Sequence, residues 1–214
     1  MARISVGGHT LTLLPQKAAF LDDFRTLLVA DAHIGKAVSF RSFGVPVPRG
    51  TTTENLDLLS ALVEQTAAVR IVFLGDFLHS RRSHAAATLN ALARWRERHA
   101  QLALTLVRGN HDDRAGDPPA SLGFSVVDEP LAVGGLALAH HPVAHPGLYT
   151  LAGHLHPCIT LGGRAYDTLR LPCFHFGARV GVLPAFGSFT GMHPVRVEAG
   201  ERVFAVAEDQ VAEV

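Results

Sequence analysis

Apolar runs that stop abruptly at glycine, aspartate or histidine constrain this chain more than any other feature. Leu104-Thr-Leu-Val-Arg-Gly109 leads without a spacer into Asn110-His111-Asp112-Asp113. Leu27-Leu-Val-Ala runs into Asp31-Ala-His33, Ile71-Val-Phe-Leu into Gly75-Asp76, and Leu136-Ala-Leu-Ala into His140-His141. Leu151-Ala-Gly153-His154-Leu-His156 completes the series. A short apolar run bounded by turn residues reads as a buried strand. Residues just past such a strand lie at the carboxyl edge of a sheet, where α/β folds place their sites. The pattern predicts several strand ends that converge on Asp, His and Asn side chains.

The intervening segments alternate up to about residue 118. Short strands are expected over 4–6, 10–14, 25–30, 69–74 and 102–107, a helix starting at Thr51 with an apolar face of Leu56, Leu59, Leu62 and Val63, and another over about 85–98. Thr51 and Glu54 have the spacing of a capping box at the start of the first helix. Residues 34–50, with Gly35, Gly44, Pro46, Pro48 and Gly50, are expected as a long irregular loop. Strand–helix alternation implies parallel βαβ units. After Pro118-Pro119 short strands dominate (124–127, 136–140, 148–152, 169–174, 180–183, 195–197 and 203–207), which reads as a second, mixed or antiparallel sheet. The expected architecture is α/β (or α+β), one domain spanning 1–214, with two sheets packed face to face and helices outside.

Composition narrows the function. The 19 basic and 19 acidic residues balance, so the chain does not coat nucleic acid by net charge, although local basic patches remain open to it. Two cysteines, Cys158 and Cys173, give no disulfide framework and are expected as buried or reduced thiols. No apolar run reaches the length of a membrane span, and Met-Ala-Arg-Ile-Ser-Val lacks the pattern of a signal peptide, so no membrane association and a cytoplasmic location are expected. Of the 13 histidines, six fall in the strand-end motifs.

In extended backbone, residues i and i+2 point to one side. Asp31 with His33, and His154 with His156, are thereby expected to reach a common ion. Two carboxylates, an amide oxygen and several imidazoles suit Mn²⁺, Fe²⁺ or Zn²⁺ better than Ca²⁺. The donors suffice for two divalent ions bridged by one Asp. Such pairs, about 3.5–4 Å apart, bind both the attacking oxygen and the phosphoryl group of a displacement reaction.

Taken in order, Asp31-x-His33, Gly75-Asp76, Gly109-Asn110-His111-Asp112, His140 and Gly153-His154-x-His156 resemble the motif set of the calcineurin-like metallophosphoesterases. That resemblance implies a four-layer sandwich, two mixed sheets flanked by helices. It also implies that Asp31, His33, Asp76 and His156 hold one metal while Asp76 bridges to a second, completed by Asn110, His140 and His154. His111 matches the family's catalytic histidine, with Asp112 expected to orient it. The family's fourth motif usually reads His-Gly; here it is His140-His141, and His140 is assigned because it comes first after the strand.

Longer stretches are similar to a bacterial subgroup, the ligase-associated DNA damage response endonucleases (PdeM family). They include Val29-Ala-Asp-Ala-His-Ile-Gly-Lys, Gly44-Val-Pro-Val-Pro-Arg-Gly, Phe73-Leu-Gly-Asp-Phe-Leu-His-Ser and Arg170-Leu-Pro-Cys-Phe-His-Phe-Gly. This implies a Mn²⁺-dependent phosphodiesterase that acts on DNA beside a DNA ligase, a helicase and a nuclease of a repair system. A phosphatase or small-molecule phosphoesterase, and a non-catalytic scaffold on the same fold, are the alternatives. Basic residues downstream of the ligands are candidate phosphate contacts: Arg81, Arg82 and Arg41 above all, then Lys36, Arg49, Arg108 and Arg114, with Phe40 and Phe43 as candidate base-stacking rings.

Overall fold

A computed structural model describes residues 1–42, 44–45, 50–162, 168–188 and 190–214. The first sheet opens as an antiparallel meander of β1 (Ala2–Val6), β2 (His9–Leu14), β3 (Ala18–Leu21) and β4 (Thr26–Ala30). From β4 onward it is parallel, adding β5 (Arg70–Leu74), β6 (Ala103–Val107) and β7 (Phe124–Val127) in turn. Parallel neighbours need crossovers, and helices supply them. α1 (Lys36–Ser42) and α2 (Thr51–Thr66) join β4 to β5, α3 (Ala86–Arg98) joins β5 to β6, and α4 (Asn110–Ala115) lies between β6 and β7.

The second sheet contains β8 (Leu131–Val133), β9 (Leu136–Leu138), β10 (Tyr149–Ala152), β11 (Pro157–Gly162), β12 (Thr168–Phe176), β13 (Val180–Val182), β14 (His193–Pro194), β15 (Arg202–Ala207) and β16 (Gln210–Glu213). It is mixed. β10 runs parallel to both β9 and β13, while β12 is antiparallel to β11, β13 and β15.

β4 is buried at every position because both of its faces are covered. Leu27 and Val29 face a core shared with Leu56, Leu59 and Leu62 of α2 and with Leu92 and Trp95 of α3. The alternate residues Leu28 and Ala30 face the other way, into a core with Leu138, Leu151, Phe174 and Phe204 of the second sheet. Continuous apolar runs are what a strand buried on both sides requires. The two mixed sheets stacked face to face, with α2 and α3 against the first, are the architecture the sequence predicts. Cys158 and Cys173 are buried free thiols. No helix among the described residues is long and apolar enough to cross a membrane.

Local expectations fail where short-range pattern competes with tertiary context. The predicted loop 34–50 begins instead with the helix α1, which packs beside residues 81–84. Phe43, Pro46, Pro48 and Arg49 lie outside the described residues. α2 starts from Gly50, a left-handed residue whose carbonyl accepts the Glu54 amide, so Thr51 and Glu54 do not form a capping box. Residues 124–127 pair with β6 and belong to the first sheet, which moves the change of sheet past Pro118-Pro119 to about residue 130. The strand expected over 195–197 lies at 193–194, and β3, β8, β11 and β16 had no clear signal.

Candidate metal centre

β4, β5 and β6 end side by side, and β9 and β10 of the second sheet end against them. The His154 amide donates to Asp31 Oδ2 at 2.9 Å, which ties the two sheets together at this edge, and the Gly153 amide donates to the His140 carbonyl at 3.1 Å, which holds the ends of β9 and β10 side by side. The strand-end residues are then turned inward by the backbone. Asp31, His33, Asp76, His154 and His156 all have left-handed φ, between 46° and 71°. The extended i, i+2 geometry expected for Asp31–His33 and His154–His156 is therefore not what aims them. Outside glycine such φ values are uncommon, and strained backbone collects where function over-determines it. Glycine makes the close approach possible: a Cβ on Gly75 would overlap the His140 ring, and one on Gly109 would overlap the Asp76 carboxylate.

The result is a buried cluster of donors. Asp31 and His140 are fully buried, and His33 and Asp76 each expose only 3%. Asp31, His33 and His156 offer atoms within 4.8 Å of one another, as do Asp31, Asp76 and His140. Asp76 Oδ2 lies 3.9 Å from His33 Nε2, and its Oδ1 lies 3.6 Å from His140 Nε2. His156 Nε2 is 3.4 Å from Asp31 Oδ1. These separations are long for hydrogen bonds. They suit atoms that share a cation, since ligands about 2.1 Å from one ion stand roughly 3–3.5 Å apart.

The donor chemistry fits divalent metal. Asp31 Oδ1 and His33 Nδ1 are buried with no hydrogen-bond partner. His140 Nε2 faces Asn110 Oδ1 at 2.9 Å and His154 Nδ1 at 3.0 Å besides Asp76, and one proton cannot satisfy all three contacts whereas a cation can. Burial above all, then Lys36 and the imidazoles of His111, His156 and His79, drive the His33 pKa down to about 2. His33 is thus held neutral, the form that ligates.

His140 rather than its neighbour occupies the centre. His141 Nδ1 bonds Glu129 Oε1 at 2.6 Å, and Glu129 Oε2 accepts the amides of both His140 and His141 at 2.8 Å. Burial pushes the Glu129 carboxyl up, but these three bonds outweigh it and hold the carboxyl below its ordinary value. Nothing in the sequence singled out Glu129. Its replacement by Ala strands a buried amide at His140, and a loss of about 1–3 kcal/mol is expected. Chemical denaturation of the metal-free protein measures it, and an unchanged midpoint would refute the bracing role.

His111 stands at the mouth of the cluster. Its amide donates to Asp76 Oδ1 at 2.8 Å, and its Nδ1 bonds the His79 carbonyl at 2.9 Å. A carbonyl only accepts, so Nδ1 carries the hydrogen and Nε2 is left for chemistry. Asp112 does not orient this ring. Its carboxylate accepts the amides of Gly109 at 3.0 Å and Leu78 at 3.2 Å, clamping the β5 and β6 loops together. Burial raises its pKa to about 6. His79, to which the sequence reading gave no role, stacks on His111 with ring centres 5.1 Å apart, and burial, then Lys36 and His111, lower its pKa to about 4. His33, His79 and His111 form a further donor group.

A groove of about 590 Å³ leads away from His111, lined by Ser39, His79, Arg81, Arg82 and Arg114. Arg81 and Arg82 are thus brought beside the cluster. Arg41 sits on the exposed last turn of α1, and Phe40 approaches His79 with ring centres 6.4 Å apart. Arg108 does not face the site as a phosphate contact: Asp117 and Asp128 hold its guanidinium at 2.7–2.9 Å.

Buried carboxylates and imidazoles at the shared edge of two stacked sheets define a metal-dependent phosphoesterase. The chain belongs to the calcineurin-like phosphoesterase family, whose model matches residues 24–177. The crystal structure of Pseudomonas putida nuclease MPE is similar over 100% of this chain and 99% of that one, with 42% identity and a TM-score of 0.88. Yfce, a phosphoesterase from E. coli, is 16% identical over 88% of this chain and 97% of its own, with a TM-score of 0.45. Comparison with curated proteins finds no match.

Proposed function

We propose that this chain is a two-metal phosphodiesterase that cleaves nucleic acid, with DNA as substrate and Mn²⁺ as its ion. The observation that carries the reading is the divided donor cluster around Asp76, whose two oxygens face His33 on one side and His140 on the other. Asp31, His33, Asp76 and His156 are the ligands of one ion. Asp76, Asn110, His140 and His154 are those of the other. Bound ions would polarise the phosphoryl oxygens and generate a nucleophile from water at neutral pH.

The chain's own residues do the rest. Asp76 and Asp31 supply the negative charge that keeps the ions, and their backbone bonds fix the carboxylate planes. His111, tethered through Nδ1–H, presents Nε2 to the leaving oxygen and, as the imidazolium, gives it the Nε2 proton, leaving the neutral ring with its hydrogen on Nδ1. Asp112 fixes the two loops that carry Asp76 and His111. Arg81, Arg82 and Arg114 bracket a groove wide enough for a nucleotide, and their positive charge suits a polyanion. The whole-chain likeness to a nuclease supports nucleic acid as the substrate. A role beside a DNA ligase, a helicase and a nuclease in repair is supported by the motif resemblance alone.

The test is hydrolysis of bis-p-nitrophenyl phosphate and p-nitrophenyl phosphate after reconstitution with Mn²⁺, alongside metal analysis. Diester cleavage and about two ions per chain are expected. Cleavage of the monoester alone would point to a phosphatase, and failure to retain metal would remove the catalytic reading.

A further inference from the structure

Beside His156, away from the arginine groove, lies a smaller cavity of about 140 Å³ lined by Lys17, Pro157, Pro172, Gly187, Ser188 and Thr190. Sites for nucleotide-sized ligands run to about 300–1,000 Å³. This cavity has room for a phosphate-sized group and not for a nucleoside. Lys17 reaches it from the turn between β2 and β3, where its amide closes on the Leu14 carbonyl at 3.0 Å. Its φ is 62°, a left-handed position that glycine or asparagine fills more readily.

The ammonium is poorly matched in the free protein. Among the described residues its one hydrogen bond is a 3.5 Å contact with the Gly187 carbonyl, and burial lowers its pKa with no carboxylate among them acting against it. Among the described residues, no acidic one lines the cavity. Gly187 also donates its amide to the Asp31 carbonyl at 3.1 Å, so the Lys17 contact lies one residue from the backbone that carries a metal donor. A half-buried lysine that lines a small cavity at the rim of an anion-processing centre, with only a long carbonyl contact and no carboxylate partner among the described residues, has the chemistry of an anion site.

We infer that Lys17 binds a second phosphate of the substrate, next to the one being cut, and so makes the enzyme favour a phosphodiester chain over an isolated diester. This rests on the phosphodiesterase reading above. The phosphate is an internal one or a terminal monophosphate; both present the same anionic oxygens.

The test compares Lys17→Met and Lys17→Arg with the wild type, each Mn²⁺-loaded, on a single-stranded oligonucleotide and on bis-p-nitrophenyl phosphate, which has only one phosphate. In Lys17→Met the ratio of kcat/KM for the oligonucleotide to that for the small diester is expected to fall about ten- to hundred-fold, mainly through KM, with Lys17→Arg recovering most of it. A ratio that does not move overturns the proposal, whether both rates fall together or neither does. Loss confined to oligonucleotides with phosphorylated ends assigns the terminal phosphate, and loss on all of them the internal one. Oligonucleotide binding by the metal-free protein reads the same contact without catalysis: the slope of log affinity against log salt should shrink by about 0.7 in Lys17→Met. An unchanged slope overturns the proposal even if the wild type proves to hydrolyse neither ester, the result that would instead sink the phosphodiesterase reading.

Discussion

Asp76→Asn is expected to abolish Mn²⁺-dependent hydrolysis, with a loss on the order of 10³-fold or more. The change keeps the shape of the side chain and removes its charge. Asp76 is almost fully buried, its Oδ1 takes the His111 amide, and its two oxygens face His33 and His140. An amide offers one weaker donor atom where the carboxylate offers two, so both halves of the cluster lose a ligand together. The metal-free fold should survive, because Asp31 and Asp76 lie close enough to repel when no cation separates them. The decisive comparison is thermal denaturation with and without Mn²⁺. Metal that binds only the native state raises wild-type stability, by about 2.7 kcal/mol at a hundredfold excess over Kd, and Asp76→Asn should show little of this rise. Wild-type metal content in an inactive variant would mean that Asp76 acts on the substrate rather than on the ions.

His111→Ala is expected to leave metal content intact and to slow turnover by about 10²–10⁴-fold. The backbone amide that holds Asp76 survives the substitution, and only the ring at the mouth of the cluster is lost. Leaving-group dependence separates general acid catalysis from a structural role. Nitrophenolate departs without a proton, whereas the alkoxide of a nucleic-acid chain does not, so the deficit should be far larger on an oligonucleotide than on bis-p-nitrophenyl phosphate. Equal deficits on both, or loss of metal, would remove His111 from the role of acid.

Much of this site is legible in the chain because its information is local. A run such as Leu27-Leu-Val-Ala forms a strand wherever both faces are covered, and Asp31 must then emerge at its end. Repeated at Asp76, Asn110, His140 and His154, the same grammar identifies the cluster before any tertiary structure is known. Elements whose local signal is mixed were harder to read. α1 lies among glycines and prolines that suggest a loop, and β7 follows a Pro-Pro break yet pairs with β6.

Other features depend on partners far away in sequence. Glu129 braces His140 and His141 only because the turn before β8 folds back on the end of β9. Asp112 clamps Leu78 rather than His111, and Arg108 is drawn off by Asp117 and Asp128. Lys17 comes to line one cavity with His156 only once the first meander lies beside the second sheet. The sequence by itself determined the strands, the residue types at their ends and hence the metal-binding chemistry, since hydrophobic runs and turn residues act over a few positions. Tertiary structure alone decided which atoms face one another. A strand end fixes where a side chain leaves the sheet, but its direction is set by left-handed backbone turns and by the docking of two sheets, as in the bond between His154 and Asp31 across 123 positions.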